Sequence, residues 1–147
     1  MTVVLVGRGL VPGVVEAEAL VTNEPISGWG GIDPESGKII DTHHELRGAV
    51  FTGKVLVFPS AKGSSGWSGF FQATRLNGTA PAGLVFNVVS TKSALGAVVT
   101  RVPTVASFGY SPAERIRTGD LVRVDGGTGT VTVLETAAES SNSDLYR

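Results

Sequence analysis

The stretch from Val55 to Phe71 constrains the fold more than any other part of the chain. Val55-Leu56-Val57-Phe58 is an unbroken apolar run, rich in β-branched and aromatic residues, as expected of a strand buried on both faces. Pro59 has no N–H to donate and ends the ladder. Small residues follow through Ser60-Ala61-Lys62-Gly63-Ser64-Ser65-Gly66, with Lys62 as the cation. From Trp67 onward, Phe70, Phe71, Thr74 and Arg75 recur at helical spacing until the stop signal Asn77-Gly78. This order of strand, loop and helix aims unpaired N–H groups and the positive end of a helix at whatever occupies the loop. An anionic substrate group is one natural occupant.

A second apolar run, Ala82 to Val89, completes a β-α-β unit with a buried parallel pair. Ser90 or Thr91 is placed to cap a short helix over Lys92 to Val99, where Ala94, Leu95, Val98 and Val99 fall at helical spacing. Val102 to Ala106 reads as a short edge-like strand, because Pro103 limits its pairing. Pro112 to Ile116 reads as a helical turn. Asp120 to Leu134 alternates cleanly about Gly126-Gly127-Thr128-Gly129 and predicts a β-hairpin.

Upstream, Met1 to Val6 reads as a first strand, and Gly7 to Gly13 as a turn carrying Arg8. Val14 to Val21 alternates apolar residues with Glu16 and Glu18, as a strand with one wet face does. A helix competes there, since Glu, Ala and Leu are good helix formers; Gly and Pro before it and Thr22-Asn23 after it favour the strand. Asn23 to Asp33 is a long Gly/Pro/Trp loop, of the kind compact domains keep when it serves a site. Glu35-Ser36-Gly37-Lys38 then turns the chain back into Ile39-Ile40-Asp41. The reading is one mixed α/β domain over residues 1–135, with a β-rich half and a β-α-β half, followed by a polar tail over 136–147.

Composition narrows the function. Of 147 residues, 41% are hydrophobic and 17% charged, which predicts a folded chain rather than a disordered one. A net charge of −1 argues against nucleic acid or an anionic membrane as main partner. The chain has no Cys, so it offers no disulfide, no thiol nucleophile and no ligand set for an iron–sulfur cluster. His43 and His44 are adjacent and face opposite sides of an extended backbone, so a shared metal is not expected. There is no apolar stretch of membrane-spanning length, and the first residues lack the basic region of a signal peptide; a soluble, cytoplasmic protein is the expectation.

Each candidate site residue has a plain reading beside a sharper one. Lys62-Gly63-Ser64-Ser65 is plainly a turn in which Ser65 or Ser68 caps the next helix. A full phosphate-loop pattern is absent. The sharper reading is a serine acting as nucleophile or base, in a positive environment supplied by Lys62 and the helix terminus. No His follows in the loop, which weighs against a hydrolase triad. Arg8 is either a solvated turn residue or a carboxylate fork near the serine loop. Asp33 is expected to bond its own backbone, His44 to be a neighbour's hydrogen-bond partner, and Arg47 to pair with Asp41 or Glu45. Trp29 and Trp67 are expected in a core or an interface.

Taken together, several segments resemble one family. They are Gly7-Arg8-Gly9-Leu10-Val11-Pro12-Gly13, Glu24-Pro25-Ile26-Ser27 with Trp29-Gly30-Gly31-Ile32-Asp33-Pro34, and Gly37-Lys38-Ile39-Ile40-Asp41 with His44 and Leu46-Arg47-Gly48. Pro59-Ser60-Ala61-Lys62-Gly63-Ser64-Ser65 and Asn77-Gly78-Thr79-Ala80-Pro81-Ala82 complete the set. The chain is similar, up to about Leu134, to the small, swivel-domain subunit of aconitase X. The resemblance implies a swivelling β/β/α domain and a heterodimer with a large subunit that carries the cysteines and an iron or iron–sulfur centre, with no cofactor on this chain. It implies a hydro-lyase acting on a small hydroxy acid, with Ser64 matching the serine that acts as base in the wider aconitase superfamily. Where the aconitase loop continues with Arg, this chain has Gly66, so substrate binding would fall to Lys62, Gly63, Ser65, Arg8 or the large subunit. Two branches are known, one dehydrating cis-3-hydroxy-L-proline to Δ1-pyrroline-2-carboxylate and one dehydrating phosphomevalonate. The sparse Lys and Glu content and the Ser/Ala-rich tail favour the bacterial hydroxyproline type. The rival classes are a phosphocarrier-like module, which would need a His in the Pro59–Gly69 loop, and a purely structural subunit.

Overall fold

The computed structural model describes residues 2–137, which form twelve strands and two α-helices. The strands are β1 (Val3–Val6), β2 (Arg8–Val11), β3 (Val14–Val21), β4 (Ile26–Ser27), β5 (Ile32–Asp33), β6 (Lys38–Ile39), β7 (Val55–Phe58), β8 (Ala61–Lys62), β9 (Gly83–Phe86), β10 (Thr104–Ala106), β11 (Leu121–Asp125) and β12 (Thr130–Glu135); the helices are α1 (Trp67–Asn77) and α2 (Thr91–Thr100). Eight strands form one sheet in the order β1-β12-β11-β3-β7-β9-β10-β2. The two ends of that order, β1 and β2, are joined by Gly7 alone, so the sheet curls until its ends meet. Gly7 extends the β1–β12 ladder by donating its N–H to the Gly129 carbonyl at 2.8 Å.

Alternation within the strands makes three layers. Val55 and Val57 of β7, Val85 of β9 and Val105 of β10 share one core with Leu5, Val122, Val124, Val131 and Val133 from the antiparallel half. The intervening residues Leu56, Phe58, Leu84, Phe86 and Ala106 face a second core with Trp67, Phe71 and Ala97 from the helices. A strand with apolar residues at every position can only sit between two such cores, and β7 and β9 are buried along their whole length. Trp67 stacks on Phe71 at 4.2 Å between ring centroids and donates its indole N–H to the Ile26 carbonyl at 2.9 Å. Burying a side chain of this size contributes about 5 kcal/mol of hydrophobic stabilisation. α1 and α2 lie against each other so closely that a Cβ on Gly96 would stand 2.2 Å from the Trp67 ring.

Most expectations hold. β7, α1 and β9 form the β-α-β unit with a parallel pair. β3 is a strand, pairing β11 with its first half and β7 with its second. β11 and β12 form the hairpin, β5 and β6 close the turn at Glu35–Lys38, and Pro112–Glu114 is a short 3-10 turn. Others need correction. The Gly7–Gly13 segment is not only a turn: Arg8 to Val11 form β2, antiparallel to β10. In consequence β10 is not an edge strand, since β9 flanks its other side. Pro103 stands just outside it and still contributes by accepting the Leu84 N–H. The loop after Asn23 is less irregular than its composition suggests, because β4 pairs in parallel with β8. At the far end, Ala137 donates its N–H to the Asp120 carboxylate at 2.8 Å; the rest of the expected tail lies outside the described residues.

Candidate functional site

The loop between β7 and α1 emerges at the carboxyl edge of the parallel strands, where helices of such units begin. Its stem is held on two sides. The Ile26 N–H donates to the Ser60 carbonyl, and the Asn87 and Val88 N–H groups both donate to the Pro59 carbonyl. Its tip, Gly63 to Gly66, is exposed. Gly63 adopts φ +93, a left-handed conformation that a side chain would strain. That turn presents Ser64 outward, directly ahead of α1.

The start of α1 departs from expectation. The cap position is Gly66, with no side-chain cap, so neither Ser65 nor Ser68 fills that role. Instead the Ser64 hydroxyl accepts the Gly66 N–H at 3.3 Å, and its carbonyl accepts the Trp67 N–H at 3.2 Å. Charge would therefore be stabilised on the Ser64 oxygen by a backbone donor and by the positive end of an eleven-residue helix.

Lys62, at the stem of the loop, has a carboxylate partner. Its ammonium lies 3.5 Å from the Asp41 carboxylate. The His43 N–H, followed by Lys62, holds the Asp41 carboxyl below its ordinary range. Asp41 thus takes Lys62 rather than Arg47. Arg47 has no carboxylate within ion-pair distance among the described residues, and Glu45 accepts from the Thr22 hydroxyl instead. A second cation reaches the loop: Lys92, in the first turn of α2, donates from Nζ to the Gly63 carbonyl at 2.8 Å. The sequence reading passed over Lys92. The signal available was a lysine in the opening turn of a helix, where the dipole disfavours a cation.

Between the loop and α2 lies a cleft of about 410 Å³ lined by Ser65, Ser90, Thr91, Lys92 and Leu95. Ser64, Ser65, Gly63 and Lys62 are thus together. Arg8 is apart: on β2 it pairs with Ala106 of β10, in line with Phe58 but three strands away, roughly 14 Å by strand spacing. His44 is buried, with Nδ1 accepting the Leu46 N–H at 3.0 Å, as a hydrogen-bonded neighbour should be. Its Nε2 faces Glu24 at 3.9 Å. Asp33 accepts from the Glu35 N–H and the Ser36 hydroxyl, as expected. Trp67 is core, whereas Trp29 is 75% exposed.

Among the described residues, no three His, Asp or Glu side chains converge as metal ligands. With no Cys in the chain either, its donor set does not fit an iron–sulfur centre. No helix among the described residues is long and apolar enough to cross a membrane.

Comparison with known proteins agrees with this geometry. The family described as the aconitase X swivel domain matches residues 4–133. The chain is 38% identical over 131 residues to the phosphomevalonate dehydratase small subunit of Thermococcus kodakarensis, covering 89% of this chain and 96% of that one. It is 35% identical to the subunit of the same name from Methanosarcina acetivorans, covering 89% and 91%. Its fold superposes on the crystal structure of Thermococcus kodakaraensis aconitase X in its holo-form with a TM-score of 0.85 at 38% identity, covering 90% and 98% of the two chains. The solution structure of a UPF0107 protein gives 0.81 at 37% identity, covering 90% and 100%. The preference for the hydroxyproline type is corrected here: these relatives carry the other branch's name, and bulk composition reports growth temperature and lineage rather than substrate. A β/β/α fold matched along almost its whole length, with the serine loop at the carboxyl edge of its parallel strands, places the chain in the aconitase X swivel-domain family.

Proposed function

We infer that this chain is the small subunit of a hydro-lyase that dehydrates phosphomevalonate, working with a large subunit that carries the metal centre. The observation that carries this reading is the near full-length match to phosphomevalonate dehydratase small subunits. Ser64 is the base. Its oxygen takes the proton from the carbon next to the substrate carboxylate, the C–H electron pair becomes the new double bond, and the β-hydroxyl leaves as hydroxide; the proton on Ser64, passed on through solvent, completes the water and returns Ser64 to its starting form. The Gly66 N–H on its hydroxyl and the positive end of α1 favour the anionic form of Ser64. Gly63 and Ser65 line the substrate, while Lys62, held by Asp41, and Arg8, three strands away, serve the rim. The exposed apolar residues Val88, Val89, Leu95 and Trp29 stand beside this loop and suit burial under the large subunit.

Co-expression with the large subunit, followed by assay on phosphomevalonate and on cis-3-hydroxy-L-proline, tests the reading. Water loss from phosphomevalonate is expected; turnover of hydroxyproline alone would overturn it.

A further inference from the structure

Lys92 stands where helix electrostatics argue against it. α2 carries no acidic residue in its first turn, the place where carboxylates stabilise a helix and cations destabilise it. Among the described residues no carboxylate lies within ion-pair distance of its ammonium. What it does make is one bond, to the Gly63 carbonyl at 2.8 Å, across 29 residues of sequence. Gly63 precedes Ser64 directly, and its left-handed φ of +93 sets the direction in which Ser64 leaves the turn. The other bonds at this tip are local, from Gly66 and Trp67 back to Ser64. Lys62, which the sequence suggests as the loop's cation, is occupied by Asp41. The base of Lys92 is firm: Ser90 and Ser93 form a reciprocal cap on α2, and Gly96 lets α2 close on Trp67.

We propose that Lys92 is a positioning residue, which fixes the serine loop from the neighbouring helix so that Ser64 is held in its reactive orientation. The proposal rests on the reading of Ser64 as base. An ammonium bound to a carbonyl restrains the peptide between Gly63 and Ser64 without touching the reacting atoms. It works with the left-handed turn: the glycine permits the conformation and the lysine selects it. Loss of the tether leaves a glycine-hinged tip free to swing, and small misplacement of a catalytic group is enough to slow a reaction strongly.

The test compares Lys92→Met and Lys92→Arg with the parent chain, using two readouts. In the assembled enzyme, Lys92→Met is expected to lower kcat about tenfold or more with KM changed less than about threefold, and Lys92→Arg to recover most of the rate. In the full chain, NMR backbone order parameters at Ser64 and Ser65 are expected to fall from near 0.85 towards about 0.6 in Lys92→Met and to return in Lys92→Arg. Unchanged order parameters, or a loss confined to KM, would overturn the proposal. Should Ser64→Ala retain full activity, the base assignment fails instead, and the order parameters still decide whether Lys92 holds the loop.

Discussion

The chain makes two turns from adjacent parallel strands into helices, and they are built in opposite ways. The turn from β9 into α2 is short, Asn87 to Ser90, and closed: Ser90 and Ser93 satisfy each other's backbone N–H groups. The turn from β7 into α1 is twice as long, Pro59 to Gly66, and its cap position is a glycine without a side-chain acceptor. Both helices pack on one core, α1 through Trp67 and Phe71 and α2 through Ala97. A cap typically stabilises a helix by about 1 kcal/mol. Forgoing it at α1 leaves the Ser64 hydroxyl at an exposed tip as the acceptor of the Gly66 N–H, while α2 supplies the rigid neighbour from which Lys92 reaches across.

Substitutions can break or sharpen this contrast. The largest effect belongs to the open turn. Ser64→Ala is expected to lower kcat of the assembled enzyme by about 10³-fold while leaving the chain's urea midpoint nearly unchanged, because Ser64 is exposed. A variant that loses stability but keeps its rate would reverse the roles of the two turns. Next comes the helix contact. Gly96→Ala forces a methyl into the Trp67 ring and is expected to cost about 1–3 kcal/mol in urea unfolding; no measurable cost would mean that α1 and α2 are less closely packed. Ser90→Ala removes the reciprocal cap and is expected to cost about 1 kcal/mol, which thermal unfolding resolves.

The smallest effect lies at the stem of the open turn. The Asp41 carboxyl is depressed by the His43 N–H and then by Lys62. Its contribution is fully present above the unfolded aspartate value of about 3.9 and is lost as pH falls through the lower folded value. Asp41→Asn keeps an acceptor for His43 but no charge for Lys62. Its deficit in stability is expected to be under about 1 kcal/mol near neutrality, since Lys62 is half exposed. That deficit should vanish below the folded value; a deficit independent of pH would show that Lys62 plays no part.

Local patterns were legible wherever one residue's neighbours in sequence also decide its environment. The run Val55–Phe58 could only be a doubly buried strand, and the hairpin of β11 and β12 announced itself by alternation about glycines. The serine loop was legible for the same reason, as a break between a strand and a helix. The cap of α1 was misread because several serines can compete for one position, and only backbone geometry selected Ser64 to turn back on Gly66. The segment around Arg8 reads as a turn because the Gly-rich context of β2 hides a strand whose partner, β10, lies about a hundred residues away.

From sequence alone came the alternation of strands and helices, the lack of any thiol chemistry, the serine loop between strand and helix, and the family pattern. These follow from side-chain type and short-range periodicity. Tertiary structure decided that β1 and β2 close the sheet, that β10 is enclosed, that Lys62 answers to Asp41, and that Lys92 reaches Gly63. Each of these joins residues far apart in the chain, and their meeting depends on how the layers pack rather than on any local preference.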